Sequence, residues 1–119
     1  MLISVVLQNR ADRVEKFAAK ELSKYISLIT GEDIPIVKRC KKKHSIYVGQ
    51  LPESFDDTIR KQINIPLKGL HSDSFVIKNI NEVLFICGKT SRGTLYGVYH
   101  YLQMLGVRWY FPGKDYEFL

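Results

Sequence analysis

The sequence predicts an α/β fold, an α+β two-layer sandwich in which a mixed β-sheet carries two main helices on one face. Two stretches, 12–29 and 91–105, repeat apolar residues with the period of an α-helix. Short stretches rich in β-branched and aromatic residues lie around them, as is typical of strands. The resulting order of strand, helix, strands, hairpin, helix and strand favours helices packed on a sheet.

Length and composition limit the possible protein classes. The chain has 119 residues, which predicts a single domain, 1–119, and is far below the roughly 250 residues of a (β/α)8 barrel. Its 45% hydrophobic and 25% charged residues are typical of a globular protein. No apolar run approaches the ~20 residues that cross a bilayer, so no membrane partner is expected. The start, "MLISVVLQNR", has no basic residues before its apolar stretch, which indicates a strand rather than a signal peptide. If the parent protein is secreted or periplasmic, its signal peptide is absent from this chain.

The elements follow one another in a definite order. A strand over 2–8 precedes the first helix, which Asp12 and Glu15 begin with a capping box and Gly31 ends. The strands "IPIVKR" and "SIYVGQ" come next, and a weaker helical segment, 53–63, follows them. The stretch "DSFVIKNINEVLFICG" predicts a hairpin with its turn near 79–81. The second long helix then ends at Gly106, before a last strand, "VRWYF".

The basic charge of the chain is local. Five positive residues in "KRCKKK", 38–43, account for most of the net charge of +6. No aromatic residues alternate with them to stack on bases, so a solvated turn is favoured over a nucleic-acid surface, and no nucleic-acid partner is expected. An anion-binding or nucleic-acid-binding domain using this cluster stays a lesser alternative. Cys40 and Cys87 make neither a disulfide framework nor, with His44, a metal site.

The second long helix lacks a charged face, because no charged residue occurs from Thr94 to Val107. One side of the helical wheel forms the predicted core stripe: Leu95, Val98, Tyr99, Leu102 and Leu105. Two glycines on the opposite side indicate close approach of another backbone. This helix is therefore either buried on both sides within the domain or docked on another domain. The docking hypothesis names these interface candidates: Gly93, Tyr96, Gly97, His100, Met104, Arg108 and Trp109.

No residue of the chain is predicted to be catalytic. Gly88-Lys89-Thr90 lacks the glycine of a phosphate-binding loop five positions earlier, where Val83 stands. His100 has no evident orienting partner, so a packing role is favoured. Asp115 and Glu117 form a close acidic pair in a segment expected to be a solvated loop. No metal and no cofactor is expected.

The ordered series "AAKELSKYISLITGEDIPI", "SIYVGQ", "DSFVIKN" and "LFICGKTSRGTLYGVYHYLQMLGVRWYFPG" resembles a known domain. It is similar to the non-catalytic amino-terminal α/β domain of family-67 and family-115 α-glucuronidases, and more distantly to that of β-N-acetylhexosaminidases. The resemblance covers nearly the whole chain. It implies a mixed sheet with two helices on one face, packed beside a barrel that carries the catalytic carboxylates.

The resemblance implies an accessory domain that supports a glycoside hydrolase-like barrel in polysaccharide degradation. The expected partner is the C-terminal catalytic barrel of the same parent chain, and this chain alone is not expected to be an enzyme. The alternative is an independent carbohydrate-binding module, since aromatic faces pack against sugars. Its weaker candidate contacts are Tyr96, Trp109 and Tyr110.

Overall fold

The computed structural model describes residues 3–38, 44–52 and 55–106, and the backbone of 108–110 and 116–118. The helices and strands along this part of the chain are β1 (Ser4–Val6), α1 (Arg13–Thr30), β2 (Ile36–Val37), β3 (Ser45–Val48), α2 (Asp57–Leu67), β4 (Phe75–Ile80), β5 (Val83–Gly88), α3 (Ser91–Met104), β6 (Arg108–Tyr110) and β7 (Tyr116–Phe118). They follow the predicted order as far as β6, but the segment around Glu117, expected to be a loop, forms a further strand, β7. Within the described residues, no helix has the length and apolarity needed to cross a membrane.

Five strands form one mixed sheet in the order β2-β1-β3-β5-β4. β1 is parallel to β2 and β3, β3 is parallel to β5, and the edge strand β4 is antiparallel to β5. The last two strands, β6 and β7, pair separately as an antiparallel ribbon. Because β1, β2, β3 and β5 are parallel, their carboxyl ends meet at one edge of the sheet, and the turns that follow β1, β3 and β5 lie there together.

The hairpin of β4 and β5 turns at Asn81 and Glu82, directly between the paired residues Ile80 and Val83. Both turn residues have positive φ, 52° and 67°, as a two-residue type I′ turn requires. Asparagine tolerates this conformation well, whereas glutamate does not. The predicted hairpin is confirmed, with its turn one to two residues later than expected.

Helix α1 begins and ends at the predicted residues. The Asp12 side chain accepts a hydrogen bond from the Glu15 backbone N–H, and the Glu15 carboxylate accepts one from the Asp12 N–H. This reciprocal pair is the predicted capping box, and it satisfies two donors that a helix start leaves open. Gly31 closes the other end with φ 75°, where a side chain would be strained.

The core has one part on each face of the sheet. α1 and α3 pack together on one face against inward residues of the parallel strands, Val5, Ile46, Val48 and Ile86. The predicted α/β fold with two main helices on one face of a mixed sheet is therefore confirmed. On the other face, Ile63 and Leu67 of α2 lie in a second apolar cluster with Tyr47, Phe85 and Cys87.

Helix α2 lies about four residues later than the predicted segment 53–63. Asp56 caps its first turn by accepting from the Ile59 N–H at 3.1 Å, so the helix starts after this residue. Phe55, just before the cap, packs edge-on against Tyr47 and Phe85. Pro66 falls in the last turn, and the helix ends one residue after it.

Candidate interdomain surface

Helix α3 contacts the sheet and α1 on different sides, and this arrangement corrects part of the predicted surface. Gly93 and Gly97 are buried under the helix, not on an outer face. A Cβ on Gly93 would lie 2.4 Å from the Ser74 carbonyl oxygen, and one on Gly97 would lie 2.9 Å from Ile86 Cγ2. The close backbone approach that the glycines predicted is therefore real at Gly93, where the neighbour is the segment 72–74 just before β4 in the same domain. At Gly97 the close neighbours are the side chains of Ile86 and Phe75.

The predicted core stripe of α3 is confirmed at four of its five residues, and the buried side extends beyond it to Gly93 and Gly97. Val98 and Leu102 are buried, and Leu95 and Tyr99 are partly buried on the cluster that α1 shares. The Tyr99 hydroxyl donates to Glu21 Oε1 of α1 at 3.2 Å, which joins the two helices. Leu105, expected in the core, is 43% exposed and lies just past the last helical residue, at the C-cap of α3.

One uncharged flank of α3 stays at the surface, and we call Tyr96, His100, Gln103 and Met104 the α3 flank. Tyr96 is 38% exposed and Met104 is 67% exposed. The His100 ring lies 5.5 Å from that of Phe75, the first residue of edge strand β4, so the flank continues onto the sheet edge. Three of the seven predicted interface residues, Tyr96, His100 and Met104, thus share an exposed surface. The side chains of Arg108 and Trp109 lie outside the described residues.

The predicted sugar-contact residue Tyr96 is already engaged. Arg92 Nε donates to the Tyr96 hydroxyl at 2.9 Å, and the guanidinium carbon lies 5.6 Å from the ring centroid. That hydrogen bond and the charge of Asp73, 3.6 Å away, raise the pKa of Arg92. Because a cation lies over one ring face, this face is less available to stack on a sugar. The other two candidate contacts, Trp109 and Tyr110, have side chains outside the described residues.

A hydrogen-bond network joins the carboxyl ends of the parallel strands, and sequence reasoning missed it. The Gln50 backbone N–H donates to Glu15 Oε2 at 2.8 Å, and Gln50 Nε2 donates to the Lys89 carbonyl at 2.7 Å. The Gln50 carbonyl in turn accepts from Gln8 Nε2 at 2.9 Å. Glu15, an α1 residue that is 3% exposed, therefore holds the turn after β3 as well as its own cap. Glutamine directly after "YVG" was the available indication, since it follows a buried strand.

The amino ends of α1 and α3 meet at the same edge of the sheet. The Ser91 hydroxyl donates to the Asp12 carboxylate, and this bond, followed by that from the Glu15 N–H, lowers the pKa of Asp12. At the far end of α3, burial raises the pKa of Tyr101. Cys87 is a buried free thiol, as predicted, and burial raises its pKa far above the ordinary value, so it stays protonated.

The acidic residues at the starts of α1 and α2 have structural roles. Within the described residues, no group of three or more His, Cys, Asp or Glu side chains is placed to hold a metal ion. The carboxylates of Asp12 and Asp56 cap helices, and Glu15 is bonded to two backbone N–H groups. Asp115, the Glu117 side chain and the basic residues 39–43 lie outside the described part of the chain.

The model of one protein family, glycosyl hydrolase family 67 N-terminus, matches residues 1–101. The chain belongs to this family. It is similar to probable α-glucuronidase A of Aspergillus oryzae and to that of Aspergillus flavus. Each of these relatives is 29% identical to it over 89 residues, which is 74% of the chain. The predicted resemblance is thereby confirmed. The family 67 N-terminal chain spans only about a tenth of these relatives, since the matched part is 10% of each.

A solved structure of a GH138 enzyme targeting pectin rhamnogalacturonan II shares the fold of this family 67 N-terminal domain. The superposition has a TM-score of 0.60 with 18% identity, and it covers 97% of this chain and 11% of the other. At that identity, the likeness supports the architecture alone. The same α/β arrangement therefore occurs within a chain roughly nine times as long.

Proposed function

We propose that this chain is a non-catalytic accessory domain that packs, through the α3 flank, on a glycoside hydrolase-like catalytic barrel of the same parent protein. Membership of the family 67 N-terminus family and the short span on much longer relatives support a domain within a larger protein. The observation that carries the docking site is the absence of charge on an exposed helix flank, where water normally contacts charged residues.

The interface would be modest and mostly apolar. Met104 and the ring of Tyr96 supply apolar surface, and His100 and Gln103 supply polar atoms at its margin. A central apolar patch with polar groups around it is the usual anatomy of such contacts. Gly93 and Gly97 themselves are not part of it, because residues 72–75 and Ile86 of the same domain cover them.

A charge placed on the α3 flank tests the docking site. In the parent protein, Met104→Lys should loosen the domain, because burying an unpaired ammonium in an apolar contact is costly. Ile65→Lys on α2 is the matched control, since Ile65 is 66% exposed and Met104 is 67% exposed. Limited proteolysis between the domains and the melting temperature of the parent report the loosening. Equal effects of the two variants, or a larger effect of Ile65→Lys, would remove the α3 flank as the docking site.

The accessory role has a separate test. The 119-residue chain should show no turnover of aryl glycosides or aldouronic acids, because the reaction ordinarily needs two carboxyl groups placed about 5–10 Å apart around the sugar. Turnover that co-purifies with the chain over successive chromatography steps would show that the chain is itself an enzyme. That result would end the accessory proposal whatever the docking variants do.

A further inference from the structure

A second surface feature lies away from the α3 flank, on the face of the sheet that α2 covers. A cavity of about 310 Å³ opens between the end of α2 and the turns after β3 and β5. Its lining includes Gln50, Leu51, Asn64, Leu67, Lys68 and Lys89. Ligands of open α/β sheets bind outside the carboxyl ends of the strands, and this cavity lies there. Its volume is at the lower end of the range for small-molecule sites.

The charges around the cavity favour an anion. Lys68 and Lys89 are the charged residues of its described lining, which contains no carboxylate. The helix dipole places only about half a unit of negative charge at the carboxyl end of α2, and this charge repels an anion weakly. Its Asn64 and Ile65 carbonyls already accept from the Lys68 backbone N–H. Two ammonium groups therefore outweigh the helix dipole.

The nearest buried carboxylate does not cancel these charges. Glu15 lies behind Gln50, on the α1 side of the sheet, and its oxygens accept from the backbone N–H groups of Asp12 and Gln50. A carboxylate satisfied in this way is compensated locally by the dipoles of the groups that bind it. Lys68 and Lys89 consequently determine the charge that a ligand in the cavity would meet.

The polar groups of the lining suit a ligand with hydroxyls. The Lys89 ammonium donates one hydrogen bond, to the Leu70 carbonyl at 2.5 Å, and an ammonium carries three donors. Gln50 lines the cavity, and because its Nε2 is bonded to the Lys89 carbonyl, its Oε1 atom is the acceptor that this side chain offers a ligand. Leu51 and Leu67 provide an apolar wall for a carbon chain. Donors, an acceptor and an apolar wall occur together within one small volume.

We propose that this cavity binds a small hydroxylated carboxylate, with Lys68 and Lys89 holding the carboxylate group and Gln50 accepting from a hydroxyl. The site does not depend on docking, because the α3 flank lies on the other face of the sheet from α2. A failure of the docking test therefore leaves this proposal standing, and the reverse is also true.

Backbone amide shifts of the 119-residue chain, titrated with sodium gluconate at constant ionic strength, provide the test. Sorbitol is the neutral analogue of gluconate, and inorganic phosphate is an anion without a carbon chain. Gluconate should shift the amides of Gln50 and Lys89 saturably, and Lys68→Gln or Lys89→Gln should each weaken binding about tenfold, equivalent to about 1.4 kcal/mol. Lys20→Gln on α1 removes the same charge on the other face and should change nothing.

Each alternative outcome decides against the site. Equal weakening by all three lysine variants would show nonspecific attraction to a basic protein, and equal binding of sorbitol would show that the charge is not recognised. Phosphate that binds as tightly as gluconate would indicate a general anion patch and overturn the hydroxylated ligand. Absence of saturable shifts at Gln50 and Lys89 would overturn the proposal outright, provided that the amide spectrum shows a folded chain.

Discussion

Substitution of Gly93 by alanine tests how α3 rests on the sheet. The added methyl would lie 2.4 Å from the Ser74 carbonyl oxygen and 3.3 Å from the Ser72 carbonyl oxygen. These are backbone atoms, so no side-chain rotation relieves the contact. The Ser74 carbonyl also accepts from the Lys89 N–H at 2.9 Å, and a shift of β4 would strain that bond.

Two opposing effects set the size of the change. Overpacking a tight contact costs about 1–3 kcal/mol, and an immobile backbone neighbour places Gly93→Ala in the upper part of this range. Alanine recovers about 0.5–1 kcal/mol relative to glycine inside a helix. We therefore expect Gly93→Ala to lower the free energy of unfolding by about 1–2 kcal/mol, and the melting temperature by about 4–10 °C.

Urea denaturation followed by circular dichroism measures this change through the transition midpoint. Gly97→Ala is the graded control, because its methyl would meet side-chain atoms, Ile86 Cγ2 at 2.9 Å and Phe75 Cγ at 3.1 Å, which are able to move. Gln103→Ala, on the exposed flank, should change stability by less than about 0.5 kcal/mol. If Gly93→Ala is as stable as the parent chain, or more so, the close approach of α3 to β4 is refuted.

The remaining predictions concern a cap, a buried hydrogen bond and a turn. Asp12→Ala should lower the free energy of unfolding by about 1 kcal/mol, because it removes the cap of α1. The Ser91 hydrogen bond, followed by that from the Glu15 N–H, holds the pKa of Asp12 below its ordinary 3.8. The stabilisation by the ionised carboxylate should therefore be complete above pH 3.8 and should vanish as the pH falls through the lower pKa of the folded state. If urea titrations give the same stability difference between the parent chain and Asp12→Asn at every pH, this linkage is contradicted. Thr94→Val should lower the free energy of unfolding by about 1–3 kcal/mol, because Thr94 Oγ1 accepts a hydrogen bond from the buried Gly88 N–H at 2.9 Å. Thr94→Ser keeps the hydroxyl and should retain most of the stability. Equal urea midpoints for the two variants would argue against the bond. Glu82→Gly should stabilise the hairpin by about 0.5–1 kcal/mol by relieving the positive φ at the turn, whereas Glu82→Ala should not, and a loss of melting temperature with glycine would contradict the type I′ assignment.

The sequence by itself determined the features that depend on local chemistry. The capping box of Asp12 and Glu15, the glycine stop at Gly31 and the hairpin were all predicted at or near their places, since each needs only neighbours a few residues away. The order of elements sufficed for the fold class, and the ordered series of motifs sufficed for the family. The weak helix was displaced because its start depends on Asp56 and on the packing of Phe55 under Tyr47 and Phe85.

The tertiary structure decided which way α3 faces. A helical wheel shows that Gly93 and Gly97 share a side, but it does not show which neighbour approaches them. The sheet takes the glycine side, because only there can β4 and β5 come close, and α1 takes the Leu95 and Tyr99 side. The same long-range packing brings Glu15 of α1 together with Gln50 and Lys89, which lie in the turns after β3 and β5. The spacing of apolar residues along a helix shows that it has an apolar side. Which element packs on that side depends on how the strands between distant elements are arranged in the sheet.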